Sequence, residues 1–173
     1  MVDSTPSSVP TNVPRGFSLA GIHCGIKTNA SKEDLSLVVV DRPTTAVGVY
    51  TENKFAAAPV LLDRERTPSE GIRAVVINSG NANACTGQRG LEDAVAMCRA
   101  VAAACSIDQN EVLVMSTGII GNFLPIDAIT AGIAKVAAVR GNDSEAILSA
   151  ARGMLTTDSC TKTVQRQWKG ASL

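Results

Sequence analysis

The sequence predicts a mixed α/β domain, a layered sandwich of strands and helices. Two observations carry this prediction. Short apolar runs rich in β-branched residues occupy the chain up to residue 78, whereas from residue 90 onward apolar residues recur at steps of three and four. Strands first, followed by alternating helix and strand, are typical of mixed α/β layers. With 173 residues, the chain is long enough for one domain with its own core.

Four strands are predicted in the first half. Residues 35–40 (LSLVVV) form the first, and the Asp-Arg-Pro that follows is predicted to end it. Residues 47–51 form the second. Residues 58–62 form the third, at a sheet edge because the run contains a proline. Residues 72–78 (IRAVVIN) form the fourth and strongest, since a nearly continuous apolar run indicates burial on both faces.

The second half is predicted to alternate between helix and strand. Residues 90–105 carry one apolar stripe and form a helix, and residues 111–115 return to strand. Pro125 begins the next helix, at a position where its missing N–H costs nothing. Gly141 is expected to end that helix in a left-handed turn. The Asp-Ser pair at 143–144 supplies the N-cap of a last helix.

Composition excludes several classes of function. A net charge of zero gives no reason to expect a nucleic-acid or membrane-surface partner, and no apolar run approaches the ~20 residues that cross a bilayer. The five cysteines follow no metal-ligand or disulfide spacing, which favours a reducing compartment. We therefore expect a cytoplasmic protein that uses neither a metal nor another cofactor. Residues 1–15 are polar and rich in Pro and Ser, and are predicted to be a flexible tail.

Two polar segments follow predicted strands. Residues 78–87 (NSGNANACTG) bring together groups that are costly to bury unpaired, so they either contact a ligand or form a hydrogen-bonded turn with left-handed Asn and Gly. Residues 116–121 (STGIIG) lack the Gly-Lys-Ser/Thr of a phosphate loop. An exposed backbone N–H beside a threonine hydroxyl can form an oxyanion hole. An ordinary strand-to-helix turn is the alternative.

A third polar segment and two single residues complete the candidates. Residues 156–162 (TTDSCTK) combine hydroxyls, a carboxylate and an ammonium that could bind a zwitterionic amino acid, unless they are a solvated helix end. A histidine-based triad would have to rest on His23, the one histidine, whose alternative is a structural role. Cys85 is the best candidate for a thiol nucleophile, but no neighbouring base is evident.

Taken together, these segments resemble one family. NSGNANACTG, STGIIG and MLTTDSCTK, in this order, are similar to the ornithine acetyltransferases of arginine biosynthesis, and GFSLAGIHCGIK and GLEDA support the resemblance from about Gly16 to the last residue. The resemblance implies a fold like that of the N-terminal-nucleophile aminopeptidases. It also implies a precursor that cuts itself before a threonine into an α and a β chain. That threonine takes acetyl from N-acetylornithine, or in bifunctional members from acetyl-CoA, and passes it to glutamate.

The resemblance assigns roles to three residues. Thr117 and Gly118 match the oxyanion-stabilising pair, through a side-chain hydroxyl and a backbone amide. Thr156 matches a threonine that contacts substrate. Both assignments agree with the chemistry, because acyl transfer through an acyl-threonine needs an oxyanion hole.

The sequence departs from the family at two places. The family usually reads TTDTxPK, whereas Ser159 and Thr161 stand here in place of the Thr and the Pro. After QWKGASL the family continues into a GIAKGxGM segment and then ATML with the cleavage threonine. Neither segment occurs in this sequence, and Lys169 and Thr163 do not match the lysine and the nucleophile.

These departures define the expected partner. We expect residues 16–173 to form a single domain that is incomplete without a β chain beginning with threonine, in a heterotetramer of two α and two β chains, and we expect the chain alone to be inactive. Two alternatives stay open: a truncated, inactive fragment of the family, and a relative of the N-terminal-nucleophile aminopeptidases and amidases. ANACTG and TTD argue against the second.

Overall fold

A computed structural model describes residues 13–164, so the predicted flexible tail lies almost wholly outside the described residues. Strands and helices alternate along the described chain much as the sequence predicts. In chain order the elements are β1 (Phe17–Ile22), β2 (Leu35–Ala46), α1 (Ala58–Arg66), β3 (Ser69–Asn81), α2 (Gly87–Cys105), a short 3-10 turn (Gln109–Glu111), β4 (Val112–Ile119), α3 (Ile126–Ala138) and α4 (Ser144–Met154).

The four strands form one mixed sheet in the order β1-β2-β3-β4. β1 pairs antiparallel with β2, and β2 pairs antiparallel with β3. β3 and β4 are parallel, because helix α2 carries the chain back between them. The carboxyl ends of β3 and β4 therefore lie side by side, which is where α/β proteins commonly bind ligands.

Helices cover both faces of the sheet, which confirms the predicted mixed α/β layering. α2 and α3 pack on one face to form the main core. Its largest fully buried apolar side chains are Leu35, Leu37, Met97, Leu124, Ile129, Ile133, Val76, Val101, Val112, Val114 and Val136. α4 packs on the other face across β1 and β2. A Cβ at Gly21 would lie 2.0 Å from the Ser149 carbonyl oxygen, so glycine is what lets α4 approach β1.

Both edges of the sheet have partners over part of their length. At the outer edge of β4, the Asp63 side chain of α1 accepts the Val114 N–H at 3.0 Å, and Arg66 donates to the Val112 carbonyl. At the outer edge of β1, Leu19 exchanges two backbone hydrogen bonds with Gly141, at 2.9 and 3.1 Å. Such contacts satisfy backbone groups that would otherwise invite pairing with another chain.

Two of the predicted strands are wrong. Residues 58–62 lie in helix α1, where Pro59 occupies the first turn and its missing N–H costs nothing. Residues 47–51 are irregular, because β2 runs on through the Asp-Arg-Pro to Ala46 with two shifts in register. Val47 and Val49 are 75% and 99% exposed, so this run buries little apolar surface to stabilise a strand.

The remaining elements are mostly confirmed. The strands at 72–78 and 111–115 and the helix at 90–105 are present, and Asp143 caps α4 by accepting the Ala146 N–H at 2.9 Å. β1 was missed, since FSLAGI is short and half of it is small residues. The expected left-handed turn at Gly141 is wrong: α3 ends at Ala138, and Gly141, whose φ is not positive, bridges to β1 instead.

Candidate functional site

An open cleft of about 640 Å³ lies at the carboxyl ends of β3 and β4. It brings together four stretches that are far apart in the sequence, around residues 26–32, 80, 117–119 and 156–157. The lining residues are Ile26, Lys27, Thr28, Asn29, Lys32, Gly80, Thr117, Gly118, Ile119, Thr156 and Thr157. The three site residues predicted from the sequence, Thr117, Gly118 and Thr156, thus all line one cleft.

Thr117 and Gly118 belong to the end of β4 rather than to the turn that the sequence suggested. β4 runs on to Ile119, and Gly118 lies opposite Gly80 in the parallel register. Gly118 has φ 137°, and a Cβ there would lie 2.3 Å from the Gly80 carbonyl carbon. Only glycine fits this position, because the two backbones touch and the conformation disfavours a side chain. Thr117 and Gly118 are nevertheless exposed to the cleft.

The Asn-rich segment has a different role from the one that ligand contact would require. Asn78 is fully buried; its amide donates to the Asn81 carbonyl at 2.8 Å, and its side-chain oxygen accepts the Ser116 hydroxyl at 2.6 Å. Asn81 donates to the carbonyls of Asn122 and Phe123 at 3.2 and 3.1 Å. These side chains form their hydrogen bonds with other protein groups, as in the hydrogen-bonded turn that was the alternative interpretation.

Asn83 completes this turn. It is fully buried with φ 47°, donates to the Gly90 carbonyl at 2.8 Å and accepts the Thr86 hydroxyl at 2.8 Å. Asparagine suits the position because it tolerates a left-handed backbone and offers both a donor and an acceptor. Of the ten residues in NSGNANACTG, Gly80 alone lines the cleft.

The loop between β1 and β2 forms another wall of the cleft and is organised by one carboxylate. Asp34 is fully buried and accepts backbone N–H groups from Cys24, Ile26 and Lys27 at 2.7, 2.8 and 2.9 Å, and from Gly25 at 3.3 Å. Burial of the carboxyl works to raise its pKa, but the N–H groups of Lys27 and Cys24 outweigh it and hold the pKa of Asp34 below its usual value.

The segment that follows α4 also lines the cleft, and side chains from the sheet and from the β1–β2 loop hold the end of this helix in place. The carbonyls at the end of a helix have no partner within the helix. Ser36 donates to the Ala150 carbonyl at 2.8 Å, and Ser79 donates to the Gly153 carbonyl at 2.6 Å. Lys27 donates through Nζ to the carbonyl of Leu155, the residue before Thr156, at 2.7 Å.

Lys27 and Asp34 are the functional candidates that the sequence analysis missed. The signals for them are slight: a lysine in the GIHCGIK stretch, and an aspartate directly before a buried strand. The Leu155 carbonyl lies 128 residues from Lys27, so local pattern does not reveal that contact. The partners of Asp34 lie within ten residues, but nothing in their sequence marks them as backbone donors to one carboxylate.

Only the first two residues of the third polar segment (156–162) line the cleft. Thr156 and Thr157 line it, but Asp158 and Lys162 are exposed and pair with each other at 2.5 Å. These two charged groups are not among the residues that line the cleft, and the suggested zwitterion site stays a prediction. They fit the solvated helix end that was the alternative.

His23 and Cys85, the two single-residue candidates, both lie outside the lining of the cleft. His23 Nδ1 lies 2.9 Å from the Lys32 carbonyl oxygen and 3.1 Å from Asp34 Oδ2, so the histidine braces the loop. Cys85 lines a separate pocket of about 240 Å³ beside Phe55 and Leu91. Within residues 13–164, no three His, Cys, Asp or Glu side chains cluster closely enough to hold a metal ion. No helix in the same range is both long and apolar enough to span a bilayer.

Known proteins share this arrangement of sequence and fold. A profile of the ArgJ family matches residues 18–172. The arginine biosynthesis bifunctional protein ArgJ of Rhodopirellula baltica is 44% identical over 167 residues, which are 95% of this chain and 40% of that protein. The mitochondrial ArgJ of Sordaria macrospora is 45% identical over 93% of this chain and 35% of its own length. The chain thus spans well under half the length of these curated relatives.

The solved structures agree. The crystal structure of ornithine acetyltransferase from Mycobacterium tuberculosis, in complex with ornithine, superposes with a TM-score of 0.82 and 41% identity. The match covers 87% of this chain and 81% of that one. Since both a family profile and relatives of 44–45% identity cover more than four-fifths of it, this chain belongs to the ArgJ family.

Proposed function

We propose that this chain is the α-chain part of a glutamate N-acetyltransferase and supplies its oxyanion hole. The observation that carries the proposal is the exposed pair Thr117 and Gly118, which lines one cleft with Thr156. The names of the relatives, which include arginine biosynthesis and an ornithine acetyltransferase bound to ornithine, support acetyl transfer that involves ornithine. N-acetylornithine as acetyl donor and glutamate as acceptor are proposed from the family resemblance. Acetyl-CoA is a second proposed donor, if the protein is bifunctional as those relatives are named.

The chemistry needs what this cleft offers. When a nucleophilic oxygen attacks the acetyl carbonyl of N-acetylornithine, negative charge develops on the carbonyl oxygen. The Thr117 hydroxyl and the Gly118 N–H would donate hydrogen bonds to that oxygen, and such donors act most strongly when they are already in place. Collapse breaks the carbon–nitrogen bond, ornithine leaves with the proton taken from the nucleophile, and the acetyl group stays as an ester. The amine of glutamate then attacks this ester and releases the nucleophile. No metal or other cofactor is needed for these steps.

The nucleophile is proposed to come from a second chain. A threonine hydroxyl needs an adjacent base, and an N-terminal threonine can use its own α-amine. Within residues 13–164, no threonine of the cleft is hydrogen-bonded to a histidine or a carboxylate, and His23 contacts the loop backbone. We therefore propose a β chain beginning with threonine as partner and no activity for these 173 residues alone. The assembly of two α and two β chains stays a prediction.

The location also stays a prediction. We propose the cytoplasm, whereas fungal relatives such as that of Sordaria macrospora are named as mitochondrial.

Label transfer tests the proposal. The protein, purified with its second chain, is given N-acetylornithine labelled in the acetyl group together with glutamate, and the products are followed by NMR. We expect label in N-acetylglutamate, and none when this chain is assayed alone. Label released only as acetate would replace the transferase by an amidase of the related N-terminal-nucleophile class. Transfer by this chain alone would show that it holds a nucleophile of its own.

A further inference from the structure

We propose that Lys27 is a positioning residue, which holds the substrate-contacting Thr156 in place in the cleft that Thr117 and Gly118 also line. The proposal rests on the proposed function, because it takes Thr156 to contact the substrate. Its basis is a chain of contacts in which one short loop touches both walls of the cleft.

The first link joins Lys27 to the segment that carries Thr156. Lys27 Nζ donates to the Glu33 carbonyl within its own loop and to the Leu155 carbonyl after α4, both at 2.7 Å. The ammonium therefore fixes the backbone immediately before Thr156. Hydrogen bonds to a charged donor are stronger than those between neutral groups.

A second link ties the same loop to α4. Arg152, in the last turn of the helix, donates to the Glu33 carboxylate at 2.7 Å. Glu33 thus contacts Arg152 by its side chain and Lys27 by its carbonyl. Glu33 therefore connects the loop to the end of the helix.

The third link joins the loop to the other wall. A Cβ at Gly80 would lie 3.1 Å from Ile26 Cγ2 and 3.2 Å from Lys27 Cγ. Gly80 in turn touches Gly118 in the neighbouring strand. The Lys27 stem thus packs on the backbone beside the proposed oxyanion hole, while its ammonium holds the backbone before Thr156.

The buried Asp34 gives this loop its shape. Its carboxylate gathers the N–H groups of residues 24–27, so the backbone of Lys27 has one defined course. Burial lowers the pKa of the Lys27 ammonium, and the nearby Asp34 charge works against that shift. The two hydrogen bonds of the ammonium go to protein carbonyls, which suits a positioning role rather than one in the chemical step.

The test compares Lys27→Met, which keeps the stem but removes the donor, with Lys135→Met on the exposed surface of α3. Both are made in the protein assembled with its second chain. We expect Lys27→Met to raise KM for N-acetylornithine about tenfold. Amide hydrogen exchange should rise at residues 155–158 and stay unchanged in α2, a local effect that general destabilisation would not give. Lys135→Met should change neither quantity.

A double-mutant cycle separates positioning from direct contact. If Lys27 acts through Thr156, then Lys27→Met adds little to the KM increase of Thr156→Ala, whereas its effect multiplies with that of Thr117→Ala. Fully multiplicative effects of Lys27→Met and Thr156→Ala would overturn the proposal. So would wild-type exchange at residues 155–158.

The outcomes also separate this proposal from the proposed function. If Thr156→Ala leaves KM unchanged, the substrate contact fails, and the Lys27 proposal stands or falls by the exchange at 155–158. If Lys27→Met does not fold, Lys27→Gln decides. The glutamine amide can still donate, but its side chain is one bond shorter and uncharged, so exchange at 155–158 should still exceed the wild-type rate. Wild-type exchange in that variant overturns the proposal.

Discussion

Two polar segments leave neighbouring strands at the same end of the sheet, and they serve opposite purposes. Residues 78–83 span the end of β3 at Asn81, and residues 116–118 lie just before the end of β4 at Ile119; in both, small polar residues follow an apolar run. The asparagines of the first segment are buried and hydrogen-bonded to protein groups. Thr117 and Gly118 of the second are exposed to the cleft. The first segment is the frame of the site and the second is its proposed working surface.

Position in the sheet explains the difference. β3 is an inner strand, so its end is enclosed by β2, β4 and the loop that contains Asn122 and Phe123. β4 is an outer strand, and its last residues face open space on the cleft side. A polar side chain in the enclosed place must find protein partners, whereas one in the open place can meet a ligand.

The largest expected effect comes from the working surface. In the assembled protein, Thr117→Ala should lower kcat by about 100-fold or more with little change in KM, because an oxyanion donor acts mainly on the transition state. The thermal midpoint should stay within a degree or two of wild type, since the side chain is exposed. Thr45→Ala, an exposed threonine on β2, is the control. A kcat within about twofold of wild type would remove Thr117 from the oxyanion hole.

The frame should respond in the opposite way. Asn83→Ala leaves the Gly90 carbonyl and the Thr86 hydroxyl without their partner and puts alanine at a left-handed position. We expect a loss of about 2–4 kcal/mol in the free energy of unfolding by urea, with kcat of the folded fraction retained. Asn110→Ala, an exposed asparagine, should lose little. A lower kcat at unchanged stability would place Asn83 in the working surface and contradict the division into frame and working surface.

Two buried aspartates, Asp34 and Asp63, differ in how many hydrogen bonds their carboxylates accept and in the direction of their pKa shifts. Asp34 accepts four backbone N–H groups, and its pKa is held below the usual value even though burial opposes this. Asp63 accepts one, from Val114, and burial raises its pKa to about 6, with Val114 and Arg66 pulling the other way. Asp34 therefore contributes stability above its unfolded pKa, which is lost as pH falls through the folded value. The contribution of Asp63 is greatest at low pH and declines as pH rises from 3.8 to about 6.

Asp63→Asn tests this sign. The amide oxygen can still accept the Val114 N–H, but it cannot ionise. Between about pH 4 and pH 7, we expect the wild type to lose about 2–3 kcal/mol relative to the variant. Urea unfolding at several pH values measures the difference. A constant difference, or one that grows in favour of the wild type, would mean that Asp63 is better satisfied than its single N–H partner suggests.

The smallest expected effect is at Cys85. It lines the separate pocket rather than the cleft, so Cys85→Ser should leave kcat and KM of the assembled protein unchanged. Serine keeps the size and the polarity of the position. A loss of activity would bring the smaller pocket into the site.

The spacing of apolar residues along the sequence predicted the strands and helices whose own residues carry a clear pattern. The buried run at 72–78 and the apolar stripe at 90–105 appear as β3 and α2. The run at 58–62 was misread because a short apolar segment fits either a strand or a helix. Asp63 of α1 accepts a hydrogen bond from Val114 of β4, a contact that stabilises the helix. Asp63 lies outside residues 58–62, so that run alone does not show this contact.

The site was predictable in part for the same reason. Thr117, Gly118 and Thr156 stand in recognisable motifs, and they do line one cleft. Their motifs do not reveal that Lys27 donates a hydrogen bond to the Leu155 carbonyl. Nor do they reveal that the Asn83 side chain bonds to protein groups and does not line the cleft. The first contact joins residues 128 apart in the sequence, and the second depends on how the backbone folds around Asn83.

The most direct test of the division of labour is to trap the acetyl group. The assembled protein is incubated with N-acetylornithine in the absence of glutamate, and the intact mass of each chain is measured, followed by fragmentation. We predict that the second chain gains one acetyl group on its N-terminal threonine and that this chain gains none. An acetyl group on Thr117, Thr156 or any other residue of this chain would contradict the account, because the nucleophile would then lie here.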